Sequence, residues 1–137
     1  MQVKEFLNKI RHIDMMIDCK CSQIKDLRDR LTSISCPMGE KVQSSLEPDK
    51  FTDSVSKIIE LEQEINEDID KLINMKCVAR KMIEQLDNEV EKLVLYKRYF
   101  ENKTFEQISV EVNYSWRRIH QFHGDALKKL ERLHIIS

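Results

Sequence analysis

Val3, Phe6, Ile10, Ile13, Ile17, Lys20, Ile24, Leu27, Leu31 and Ile34 follow one another in alternating steps of three and four, and all but Lys20 are apolar. That stepping is a heptad seam, and it predicts one helix over about residues 3–34, roughly 48 Å long at ~1.5 Å per residue. A stripe of that length needs a second helix to cover it. Val55, Ile58, Glu62, Ile65, Ile69, Leu72, Lys76, Ala79, Ile83 and Leu86 keep the same stepping and supply one. Between the runs lies SCPMGEKVQSSLEPD, which holds both prolines and one of the two glycines. The helices break there and fold back as an antiparallel, coiled-coil-like hairpin. Two helices bury only one seam, so a second copy of the chain is expected to complete a bundle, giving a homodimer through the hairpin. Within the seam, Lys20, Glu62 and Lys76 would select register, or else extend to solvent.

Asp87, Asn88 and Glu89 interrupt the second run, and Asn88 can cap a new helix through Val90, Leu93, Val94 and Phe100. A domain boundary is expected here, with residues 1–87 as the hairpin and residues 88–137 as a separate part. Further on, Ile108, Val112, Tyr114, Ile119 and Phe122 make one inward face only if two short helices are joined by a tight turn. Asn113 is the hinge, because Asn tolerates a left-handed backbone better than most side chains do. Ser109 stands where the two helices come close. Thr104 with Gln107 forms a capping box, and Ser115 caps the next helix. The core of this part is expected from Ile108, Val112, Ile119, Phe122, Ala126, Leu127 and Leu130. The fold class is therefore all-α, a long N-terminal helical hairpin followed by a helix-turn-helix.

Arg117 and Arg118 fall in the first turn of the second short helix, where the backbone dipole disfavours a cation by about 0.3 to 1 kcal/mol. Folding alone would prefer acids there. An anion or a guanine edge in front of that helix end removes the conflict. The charge distribution agrees: residues 1–50 carry a net +1, residues 51–91 a net −6 and residues 92–137 a net +4, for −1 overall. A near-neutral total argues against indiscriminate coating of nucleic acid, and the basic charge gathers on the helix-turn-helix.

Cys19, Cys21, Cys36 and Cys77 have no metal-ligand spacing and read as reduced thiols. His120 and His123 lie three apart with no third ligand suitably spaced, so no metal and no cofactor is expected. Nothing builds a nucleophile with its base, and Gly-rich phosphate loops are absent, so the chain is not expected to be an enzyme. The N-terminus lacks an uninterrupted apolar core and no stretch is long enough to span a bilayer, which leads to a cytoplasmic expectation without membrane contact.

The run VLYKRYFENKTFEQISVEVNYSWRRIHQFHGDALKKLERL, Val94 to Leu133, resembles region 4 of bacterial sigma-70-type factors. Arg98, Thr104, Ile108, Ser115, Ile119, Ala126, Leu127 and Leu130 match that pattern one by one. With its charged N-terminal part, the chain is similar to small sigma-region-4-like regulators of phages and prophages of Gram-positive bacteria, a group tied to late-gene or autolysin regulation. It departs at Asn113, where the pattern has Gly, and at Trp116, where it has a small or charged residue. The resemblance implies sequence-specific binding of double-stranded DNA. Trp116, Arg117, Arg118, His120 and Gln121 fall on base-reading positions, Lys103 and Thr104 on a phosphate contact, and Arg98 and Lys128 would add phosphate contacts. Contact with RNA polymerase is implied by the resemblance alone. A complete sigma factor needs a promoter-opening segment rich in aromatics, which a chain with 7% aromatic residues lacks, so an accessory regulator is expected. Two alternatives stand beside it: a phage packaging adaptor of the small-terminase kind, or a protein-interaction module that binds polymerase or a sigma factor. Subunit number separates the first from a regulator, and salt dependence of DNA affinity separates the second.

Overall fold

The computed structural model describes residues 2–35 and 48–136 of the chain, and among them there is no strand. The elements are α1 (Val3–Ser35), α2 (Pro48–Ile83), α3 (Glu89–Leu95) continued by a π-helical turn (Tyr96–Phe100), α4 (Phe105–Val112) and α5 (Trp116–Ile136). Residues 36–47, which include Cys36 and most of the expected break, lie outside the described residues. The second helix begins at Pro48, a first-turn position where the missing N–H of proline costs no hydrogen bond.

Two compact units emerge, Met1–Ile13 with Leu72–Ser137, and Asp14–Lys71. This division differs from a boundary drawn at residue 87, because the first turns of α1 and the end of α2 pack in the same unit as α3, α4 and α5. Val3, Leu7 and Ile10 are buried there, with Leu7 and Ile10 fully so. The heptad reading placed Phe6 on the seam and passed over Leu7. A helix end covered from more than one side buries a wider stripe than a two-helix seam does.

In the unit Asp14–Lys71 the helices run antiparallel. Lys20 Nζ donates to Asp68 (2.6 Å) and lies 3.6 Å from Glu64, while Arg28, further along α1, pairs with Glu62, earlier on α2. Two of the polar seam residues thus meet partners on the opposite helix. The hydrogen bond from Lys20 to Asp68 raises the lysine pKa above its ordinary value. Ile17, Ile24, Ile58, Leu61 and Ile65 form the apolar seam. Leu61 takes the inward position expected of Glu62, and Ile69, expected inside, is 37% exposed.

The α2 helix ends in a tight turn, in which the N–H groups of Gln85 and Leu86 donate to the carbonyls of Met82 and Ile83. Asn88 then caps α3 as expected, its Oδ1 accepting from the N–H of Val90 (2.9 Å) and Glu91 (3.3 Å). After α3 the chain winds one residue wider: the Glu101 N–H reaches the Tyr96 carbonyl and the Lys103 N–H reaches that of Lys97. Asn102, at φ 58°, takes the left-handed position that closes this end.

Candidate nucleic-acid interface

Local hydrogen bonds build the helix-turn-helix. Thr104 Oγ1 accepts from the Gln107 N–H (3.2 Å) and the Thr104 N–H donates to Gln107 Oε1 (2.9 Å), the reciprocal capping box that starts α4. Asn113 stops that helix at φ 60°, ψ 39°, in the left-handed region expected of it. Across the turn, the Ser109 hydroxyl donates to the Tyr114 carbonyl. Ser109 therefore joins the two ends of the turn as well as leaving room for them. Ser115 Oγ accepts from the Arg118 N–H (3.1 Å) and opens α5.

Val94, Ile108, Ile119 and Phe122 form the buried centre, with Val90, Phe105 and Val112 packed on it. Tyr114 departs from the expected inward face. It is 40% exposed and covers Phe122 edge-on, ring centres 5.1 Å apart. Ala126, Leu127 and Leu130 continue the buried stripe of α5.

The exposed side of the first two turns of α5 carries Trp116, Arg117, Arg118 and Gln121. Arg118 donates to Gln121 Oε1 (2.9 Å), and its guanidinium lies 4.7 Å from the Phe122 ring centre. Among the described residues, neither Arg117 nor Arg118 is ion-paired with a carboxylate. The positive ends of both side chains thus remain available to an outside anion. Lys128 is exposed further along α5. His120 is half-buried instead, its ring between Trp116 (centres 4.0 Å apart) and Phe105 (4.2 Å).

Around the start of α4 the cations are differently placed. Lys103 Nζ lies 2.6 Å from Glu111 and 3.2 Å from Glu101, and Lys97 shares the Glu111 carboxylate at 2.9 Å. The hydrogen bond from Lys103, followed by that from Lys97, holds the Glu111 carboxyl below its ordinary pKa. Arg98 is turned inward: it donates to the Lys103 carbonyl (3.1 Å) and stacks 4.3 Å from the Phe105 centre. Thr104 stands exposed beside them.

Two buried polar groups were not anticipated from the sequence. Tyr99 and His123 share a 2.7 Å hydrogen bond inside the unit. Burial pushes the phenol up to about 12. Burial first, then the charges of Lys4 and Arg98, pull the imidazole down to about 4. Both groups are therefore neutral at pH 7, and the imidazole tautomer sets which of them donates in the bond they share. Glu91 is 3% exposed, and both its oxygens accept from Lys129 Nζ (2.9 and 3.0 Å). The available signal was position: His123 falls on the Ile119, Phe122, Ala126 stripe, and Glu91 stands three residues before Val94.

Among the described residues no group of three or more His, Cys, Asp or Glu side chains is placed to hold a metal, and no helix is long and apolar enough to cross a membrane. Residues 83–132 match the family model of Sigma-70, region 4. The match covers the end of α2, the capped α3, the helix-turn-helix and most of α5. Neither the comparison with curated proteins nor that with solved structures gave a match.

Proposed function

We propose that this chain, which carries a sigma-70 region 4 domain, is a sequence-specific regulator of transcription that binds double-stranded DNA through the first turns of α5. The observation that carries the reading is the pair Arg117 and Arg118, exposed and without a carboxylate partner at the positive end of their own helix. In an isolated fold the two charges oppose the helix dipole, whereas a polyanion in front of the helix turns them to advantage. In the major groove Arg117, Arg118 and Gln121 face base edges, with Trp116 and His120 at their side. Thr104, Lys103 and Lys128 approach phosphates, and Lys103 exchanges Glu111 for one of them. Arg98 acts from inside, by holding the loop that ends at Thr104. The chain works by binding and not by catalysis, in the cytoplasm where its DNA is, as a phage-derived accessory factor beside RNA polymerase.

A homodimer belongs to the same proposal. Phe51, Ile59 and Ile69 lie exposed within one face of α2, and among the described residues no further layer covers that face.

Selection of bound fragments from a random duplex pool tests the reading. A defined motif should emerge, and affinity for it should fall on the order of a hundredfold from 50 to 200 mM salt, the behaviour of several phosphate contacts. Recovery of no preferred sequence at low salt refutes it.

A further inference from the structure

Trp116 is the first residue of α5 and the only tryptophan in the chain. Its side chain stands half out of the fold, at 52% exposure, yet its inner face is firmly backed. The indole lies 4.0 Å from the His120 ring, His120 lies 4.2 Å from Phe105, and the Arg98 guanidinium closes the column 4.3 Å beneath Phe105. Arg98 is itself held by the Lys103 carbonyl. Nε2 of His120 is buried with no hydrogen-bond partner, so ring contact, and not a polar bond at that atom, keeps the imidazole in the column. A prop of three groups in succession, its rings tilted by 55° and 37° to one another, behind one exposed apolar ring is more than folding requires of a helix's first residue.

A helix tip in a major groove meets mostly hydrogen-bonding edges, which Arg and Gln serve well. The one apolar feature there is the 5-methyl group of thymine. We propose that Trp116 reads a thymine, its indole packing on the 5-methyl group of one base in the bound site while His120 and Phe105 act as positioning residues that hold the ring upright. This inference rests on the DNA-binding reading and specifies one contact within it.

The test uses the full chain and duplexes selected from the random pool. Each thymine is replaced in turn by deoxyuridine, and binding is followed by anisotropy of a dye on the DNA. At one position the wild type should lose about fourfold, the worth of a single buried methyl, and W116A should lose nothing further there. H120A should also lose the methyl effect, and H120F, which restores a ring, should recover it. Emission from the single indole should become shielded from acrylamide in the complex. A site without any methyl effect, an equal effect in W116A, or an indole quenched equally in the free and bound protein overturns the inference while DNA binding stands. Failure of H120F to recover the effect overturns the positioning role. Absence of binding to every duplex removes both readings together.

Discussion

Arg118 shows how one side chain can serve the fold a little and a ligand more. Its stacking on Phe122 and its bond to Gln121 offset part of the dipole conflict at the helix start, and they orient the guanidinium outward before any DNA arrives. Arg118→Ala should therefore leave the melting temperature nearly unchanged, yet weaken binding at the selected site by about 1 to 3 kcal/mol and relax preference at one base pair. Equal loss on all sequences in competition assays would instead mark it as a phosphate contact. His123 belongs to the opposite class, a residue whose polarity is sealed inside. Its folded pKa, near 4, lies below the ordinary 6.5, so the unfolded chain takes up a proton that the native protein refuses. The associated stability is fully present above about pH 6.5 and is lost as pH falls toward 4, by on the order of 3 kcal/mol. Urea titrations across that window should show the decline in the wild type and a smaller one in His123→Gln. Sequence pattern located Arg118 through its clash with the helix end. It set His123 aside as a metal ligand and did not foresee its burial, because spacing alone does not report which ring is surrounded.

Among the elements, the turn between α4 and α5 was the most legible part of the chain. Thr104, Gln107, Asn113 and Ser115 act on backbone groups within a few residues of themselves, so their roles follow from local stereochemistry. Thr104→Ala removes the acceptor of the capping box and should cost about 1 kcal/mol in chemical denaturation. The α3 helix was legible at its start, where Asn88 caps it, and not at its end. The wide turn at Tyr96–Phe100 re-aims the chain so that Arg98 points inward, and no local rule reads that from YKRYF. Heptad stepping likewise found both long helices but misplaced Glu62 and Ile69. A period of seven records only one stripe, whereas α2 presents one set of side chains to α1 and leaves another on its surface.

At the scale of the whole molecule, the exposed face of α2 bears on assembly. Replacing Ile59 and Ile69 together with Glu should shift the chain from dimer to monomer in sedimentation equilibrium, with its helical content retained. A wild type that sediments as a monomer at micromolar concentration would remove the dimer from the proposal. The sequence by itself determined the helical class, the positions of the caps and the left-handed hinge, and the cationic tip of α5, because each depends on periodicity or on neighbours a few residues away. Tertiary structure alone decided that the first turns of α1 share a unit with residues 72–137, that Glu91 finds Lys129 across 38 residues, and that Arg98, Phe105, His120 and Trp116 stand in one column. Those outcomes depend on which faces meet after the chain has folded back, and a linear pattern carries each face without its partner.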